Sequence, residues 1–230
     1  MNAEMLAARV AEVREGIERA MQRAGRTGDV TLVAVTKTHP PEIVQAAIAA
    51  GLADVGENRV QEMEDKVAVV GRTAVRWHLI GHLQRNKAGK AVELADLVHS
   101  LDSLRLAEAL SKEAQRAGTT VDALVQVNTS GEESKFGLAA DEAVDAVARM
   151  AELPGLRLRG MMTMAPFTDD QAVIRRTFAA ARRLCDEGAR QVPALGRQLS
   201  MGMSNDYEIA VEEGSTLVRV GSTLFGERGR

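Results

Sequence analysis

The stretch that decides the fold is Val30-Thr-Leu-Val-Ala-Val-Thr-Lys-Thr-His-Pro-Pro-Glu-Ile-Val-Gln-Ala-Ala-Ile-Ala-Ala-Gly51. Its first half, Val30 to Val35, is a short apolar run rich in β-branched residues, the pattern of a strand buried on both faces. Pro40 and Pro41 stop that strand and open a helix, where proline is favoured in the first turn. Ile43, Val44, Ala47 and Ile48 supply the helix with one apolar face, and Gly51 ends it. The result is one strand followed by one helix, and the rest of the chain can be read against it.

Toward the N-terminus, residues 3 to 24 carry Leu6, Val10, Val13, Ile17 and Met21 at helical spacing, with Gly25 as a C-terminal cap. This is an extra amphipathic helix ahead of the first strand. Toward the C-terminus the unit recurs. Strands are expected at Ala53 to Val55, Arg76 to Ile80, Leu97 to Leu101, Val121 to Val127, Leu156 to Met162, Gln198 to Met201 and Leu217 to Val220. Helices are expected at Val60 to Val70, Leu83 to Leu94, Ser103 to Ala117, Ala140 to Leu153, Asp169 to Gln191 and Tyr207 to Glu213. Strand–helix alternation implies parallel strands joined by crossovers. Eight units in 230 residues predict an α/β fold, a single (β/α)8 TIM barrel over residues 1–230, with no linker or repeat to divide it. An open doubly wound sheet is the alternative, because the strands near 53 and 198 are weak.

Composition narrows the function. Hydrophobic residues make up 45% of the chain and aromatics only 3%, so the core is aliphatic. A formal net charge of −3, without a basic block, argues against nucleic acid. No apolar run approaches the roughly 18 residues of a membrane span, and the N-terminus has no apolar signal region. The single cysteine, Cys185, excludes an intramolecular disulfide and reads as a small apolar helix residue. These features predict a cytoplasmic protein, a monomer with a dimer as the alternative.

Lys37 follows the first strand directly, at the end where barrels build their sites. A lysine there among apolar neighbours suits Schiff-base chemistry, since desolvation exposes the neutral amine; a solvated strand-end lysine is the plainer reading. Gly202, Ser204, Gly221, Ser222, Thr223 and Gly226 follow the last two strands, the usual phosphate position of this fold, although glycine and serine also mark ordinary turns. Arg219 lies inside the apolar strand Leu217-Val-Arg-Val220, where a guanidinium needs an acceptor, either inside the barrel or in an outward salt bridge. Glu57, Asn58, His78, Gly81, Asn128, Met162 and Met164 stand at strand exits and are candidates for the barrel mouth. His78 and His82 are four apart, but they straddle a strand end, so a hydrogen-bonded core role suits His78 better than zinc.

Together these segments resemble a known family. Ala34-Val-Thr-Lys-Thr38, Gly56-Glu-Asn58 with Val60-Gln-Glu62, and Trp77-His-Leu-Ile-Gly81 with Leu83-Gln84 and Asn86-Lys87 are similar to the pyridoxal phosphate homeostasis proteins (the YggS/PROSC family). So are Gln126-Val-Asn128 with Ser134-Lys135 and Gly137, Leu156-Arg-Leu-Arg-Gly160, Leu199-Ser-Met-Gly-Met-Ser204, and Gly214-Ser-Thr-Leu-Val-Arg-Val-Gly221 with Phe225-Gly226. The resemblance runs in order through nearly the whole chain.

The resemblance implies a barrel like the alanine racemase N-terminal domain, with pyridoxal 5'-phosphate (PLP) held as a Schiff base on Lys37. It places the phosphate at Ser204, Gly221, Ser222 and Thr223, the pyridine nitrogen at Arg219, and Asn58, Met201 and Met203 near the ring. It implies a role in intracellular PLP and amino-acid or keto-acid balance without strong turnover, with apo-PLP enzymes as recipients. Arg59 where tyrosine is common, His82 where proline is common, and Ser222 in the usual Gly-Thr turn depart from the pattern at the rim. An arginine can only donate to the ring nitrogen, which leaves it unprotonated and weakens carbanion stabilisation. Racemases with that arrangement add a second base, usually a tyrosine; the sole tyrosine here, Tyr207, reads as a surface residue. The alternatives are a slow PLP-dependent racemase or lyase, and a PLP-free Schiff-base aldolase acting on a sugar phosphate.

Overall fold

The computed structural model describes residues 3–131 and 136–226. Helix α1 (Ala3–Arg23) buries Leu6, Val10, Val13 and Ile17 on one face. The alternation follows: β1 (Thr31–Val35), α2 (Pro41–Ala49), β2 (Asp54–Glu57), α3 (Val60–Val70), β3 (Arg76–Leu79), α4 (Ala88–Leu94), β4 (Leu97–Leu101), α5 (Leu104–Arg116) and β5 (Val121–Asn128). It continues with β6 (Leu138–Ala139), α6 (Ala143–Ala151), β7 (Leu156–Met162), α7 (Gln171–Gln191), β8 (Gln198–Ser200), α8 (Tyr207–Glu212), β9 (Leu217–Val220) and α9 (Ser222–Phe225).

Eight strands form a closed parallel ring in the order β1-β2-β3-β4-β5-β7-β8-β9 and back to β1. The β4–β5 pairing closes it, so the architecture is the barrel and not the open sheet. The expected helix over Leu83 to Leu94 instead begins with a 3-10 turn at Arg85–Lys87 before α4. The two-residue strand β6, which has no apolar run to announce it, pairs with β5 outside the ring.

The apolar runs divide by the period-two pleat. In β1, Leu32 and Ala34 face outward and pack with Val10 and Val13 of α1. Val33 faces inward and packs with Leu97, Leu124, Met162 and Leu217. In β9, Val218 and Val220 join the outer layer, leaving Leu217 and Arg219 to the interior. Both faces are buried, which is why these strands read as continuous apolar runs. Each fully buried aliphatic side chain contributes about 1.5–3 kcal/mol. The helices also begin as their sequences dictate: Ser103 Oγ accepts from Leu106 N ahead of α5, and Asp170 Oδ1 accepts from Ala172 N and Val173 N ahead of α7. Among the described residues, no helix is long and apolar enough to cross a membrane.

Candidate functional site

A cavity of about 1110 Å³ opens at the C-terminal ends of the barrel strands. Lys37, two residues past the end of β1, shares the inward parity of Val33 and Val35, and both Val35 and Lys37 line the cavity. The lysine is half-buried. Its flanks are tightly held. Thr38 adopts φ +64°, a region that β-branched residues rarely enter, and its N–H donates to Glu62 Oε2 at 2.9 Å. Behind the strand, Lys66 Nζ of α3 donates to Thr36 O at 2.7 Å and to Glu57 Oε1 at 2.5 Å. Thr36 Oγ1 donates to the same carboxylate oxygen. Burial pushes the Glu57 carboxyl up from the usual range, against the opposing pull of the Lys66 and Thr36 hydrogen bonds.

Arg219 lies on β9, the strand next to β1, in register with Val33. It is 4% exposed and lines the cavity. Its Nη1 donates to Ser200 Oγ at 2.5 Å and its Nη2 to Thr163 O at 3.1 Å. Burial lowers it to about 10, with Asp206 opposing, so it remains a cation at neutral pH. A guanidinium has five N–H donors. These contacts engage two of them, which leaves donors for an acceptor inside the cavity.

The loops after β8 and β9 complete the wall. Gly202, at φ +94°, turns the chain out of β8; a Cβ there would stand 2.5 Å from Ala210 Cβ. Beyond the turn, Ser204 Oγ accepts from Gly221 N at 3.3 Å and from Thr223 N at 3.4 Å. Two backbone N–H groups at the start of α9 thus converge on one oxygen beside the exposed Ser222, which also lines the cavity. This donor set suits a phosphate monoester. An amine, a buried cation with unused donors and an anion-compatible turn therefore share one cavity, which fits a ligand carrying a carbonyl, an acceptor and a phosphate.

Of the residues singled out from sequence, Lys37, Asn58, Met203, Ser204, Arg219, Gly221 and Ser222 line this cavity. Met201 does not: it is fully buried in the layer between barrel and helices. Thr223 contributes its backbone N–H, but its side chain is not on the wall. Glu57 points out of the barrel to Lys66 rather than into the mouth, the consequence of strand parity. Asn128 Oδ1 accepts from Ser130 N and Oγ and is not on the wall either. Ile80, Gly81, Met162 and Met164 are. Tyr207 is not a surface residue. It is half-buried and packs against Gly16 of α1, where a Cβ would meet its hydroxyl oxygen at 2.3 Å. His78 is buried with hydrogen bonds to Asp54 and His99, whereas His82 pairs with Asp102 and stacks on Phe136. Among the described residues, no group of three or more His, Cys, Asp or Glu could hold a metal ion. Ser134 and Lys135 lie outside the described residues.

The sequence reading did not single out Ser200 and His99, which stand behind Arg219, or Gln126 and Phe167 on the cavity wall. His99 did carry a signal: a histidine inside the apolar strand Leu97-Val-His-Ser-Leu101 has the same oddity that marked Arg219.

The model of the alanine racemase N-terminal domain matches residues 9–229. A pyridoxal phosphate homeostasis protein of Aquifex aeolicus is 39% identical over 221 residues, covering 96% of this chain and 97% of its own. PipY of Synechococcus elongatus, solved with PLP bound, superposes with a TM-score of 0.85 at 38% identity, over 96% of this chain and all of PipY. The alanine racemase of Corynebacterium glutamicum superposes with a TM-score of 0.73 at 16% identity, over 99% of this chain and 62% of the racemase, a likeness of fold.

Proposed function

The chain belongs to the alanine racemase N-terminal domain family and, within it, groups with the pyridoxal phosphate homeostasis proteins, and from that premise we propose that it binds PLP at this cavity and serves PLP homeostasis, holding the cofactor as a Schiff base on Lys37. The observation that carries this reading is the meeting of Lys37, Arg219 and the Ser204–Gly221–Thr223 turn in one cavity from three strand ends. Lys37 supplies the amine. Arg219 donates to the ring nitrogen. Ser204, Ser222 and the N–H groups of Gly221 and Thr223 hold the phosphate, with Asn58 and Met203 beside the ring and Met201 backing the loop from the core. PLP, when bound, supplies an electron sink for carbanions formed on an amino acid.

This chain's residues favour holding over turnover. Arg219 only donates, so it keeps no proton on the ring nitrogen. Tyr207, the sole tyrosine, is committed to its contact with α1 and not to the cavity. The protein therefore acts as a PLP carrier in the same compartment as its recipients, apo-PLP enzymes, without strong catalysis of its own.

The test is the visible absorption spectrum of the purified protein before and after borohydride, followed by peptide mass mapping. The expected result is a visible band that reduction bleaches, with the pyridoxyl adduct on Lys37 and none in Lys37→Ala. A protein that stays colourless and unlabelled after incubation with PLP overturns the reading. Robust racemisation of an amino acid that depends on Lys37 overturns the carrier role alone.

A further inference from the structure

Behind the cavity, the barrel interior holds a line of buried polar side chains that cofactor binding does not itself require. Asp54, His78, His99, Ser200 and Arg219, from five different strands, are each 5% exposed or less. Asp54 Oδ1 and His78 Nε2 are 2.9 Å apart, as are His78 Nδ1 and His99 Nε2. His99 Nδ1 is 2.8 Å from Ser200 Oγ, which accepts from Arg219 Nη1 at 2.5 Å. At the opposite rim, Asp54 Oδ2 accepts from the exposed Arg76 at 2.8 Å. The line therefore crosses the barrel from its N-terminal rim to the cavity.

The chemistry of the two ends fixes the order of the protons. An arginine can only donate and a carboxylate can only accept. Ser200 Oγ accepts from Arg219, so its one proton goes to His99 Nδ1. His99 then carries its proton on Nε2, aimed at His78 Nδ1. His78 in turn carries its proton on Nε2, aimed at Asp54. Every donor has an acceptor, and all the bonds point one way. The reverse order requires a doubly protonated His78 and leaves the Ser200 hydroxyl proton without an acceptor among the described contacts. It also places a second cation, besides Arg219, next to His99, which burial already holds well below the usual imidazole range.

We infer that Asp54, His78, His99 and Ser200 are positioning residues for Arg219: their aligned chain fixes the angle of the guanidinium at the cavity and couples it to the charge of Asp54 on the far rim. Hydrogen bonds in such a series polarise one another, so a change at one end reaches the other without moving the backbone. The inference rests on the reading above, in which Arg219 meets the ring nitrogen of PLP.

The test pairs a remote substitution with a change in the ligand. Wild type, Asp54→Asn and His78→Gln are titrated with PLP and with its analogue in which CH replaces the ring nitrogen. Both variants are expected to bind PLP about three- to tenfold more weakly than wild type, and to bind the analogue as wild type does. Equal losses for both ligands would make the chain mere scaffold, and no loss for PLP would disconnect it from Arg219; either overturns the inference. Nitrogen-15 NMR of the imidazoles in the ligand-free wild type reads the proton order directly, with both histidines expected as neutral Nε2–H tautomers at pH 7. A doubly protonated His78 or an Nδ1–H His99 overturns it. Wild type that takes neither ligand refutes PLP binding, whereas the tautomers judge the chain by themselves.

Discussion

Replacing Lys66 by Met should expose how much the floor beneath Lys37 depends on one buried ion pair. Lys66 and Glu57 have side chains 4% and 0% exposed, with Nζ and Oε1 2.5 Å apart. Among the described residues Glu57 Oε2 has no hydrogen-bond partner, so the carboxylate relies on Lys66 and the Thr36 hydroxyl. Removing one partner of a buried pair costs about 3–5 kcal/mol, because the remaining charge stays desolvated. For a chain of this length that is a fall in Tm of about 6–20 °C. The pH dependence has a definite sign. Burial already raises the Glu57 carboxyl, and loss of the ammonium raises it further. A carboxyl whose folded pKa lies above its unfolded value contributes stability below the unfolded pKa and loses it as pH rises through the folded one. The deficit of Lys66→Met should therefore be larger at pH 7 than at pH 5. Adding Glu57→Gln removes the stranded charge and should restore most of the loss. Thermal melts of the ligand-free single and double variants at the two pH values read all of this. A single variant within about 3 °C of wild type, or a double variant no better than the single, would refute the reasoning.

Three further outcomes follow from buried groups and close contacts. Burial holds His99 well below its usual range, so as pH falls below about 6.5 the unfolded chain takes up a proton that the folded site refuses. Wild type should then lose stability relative to His99→Gln by up to about 1.4 kcal/mol per pH unit, and parallel urea denaturation profiles at pH 7, 6 and 5 would contradict this. Cys185 is 1% exposed and its thiol is pushed up to about 11 by burial, so a thiol reagent at pH 8 should label it only after unfolding. Prompt labelling of the native protein would show that the face of α7 carrying Cys185 is not packed into the core. Gly81→Ala places a Cβ 2.3 Å from Asn58 O, where β2 and β3 leave the barrel. That overpacking should cost about 1–3 kcal/mol, and an unchanged Tm would mean the two exits are less tightly joined.

How much of this was legible in the sequence depended on how the period-two pattern is filled. Val30 to Val35 and Leu217 to Val220 read clearly because both faces of β1 and β9 are apolar. Strand β2 read weakly because its inward positions, Asp54 and Gly56, are a charge and a glycine, and only Val55 faces the outer core. Lys37 and Arg219 stood out for a related reason: each breaks or ends an apolar run, and parity alone sends both inward. Parity also explains Glu57, one residue out of step with Asn58 and thus turned toward α3. It fails after β8, where Gly202 turns the chain: Met201 is buried in the outer layer, while Met203, two residues on, stands exposed at the rim. The Asp54–His78–His99–Ser200 line was out of reach of any local pattern, because its contacts join residues 21 to 101 positions apart.

The strand register also bears on which carbonyl ligand the cavity selects. Arg219 is level with Val33, whereas Lys37 lies four residues farther along the chain, two of them past the end of the neighbouring strand β1. Both side chains line the same cavity, so a ligand that meets both must carry a carbonyl for the amine and an acceptor for the guanidinium. A sugar phosphate, the substrate of a PLP-free aldolase, offers the carbonyl and the phosphate but no acceptor fixed opposite the carbonyl. It would leave the unused donors of a cation that is 4% exposed unmet, and a buried unpaired donor costs about 1–3 kcal/mol. PLP presents aldehyde, ring nitrogen and phosphate on one rigid frame. On the proposed PLP reading, Arg219 is the residue that separates the two ligands. An Arg219→Met variant should lose affinity for PLP while keeping its affinity for a simple aldehyde phosphate, and equal losses for both would place the discrimination elsewhere.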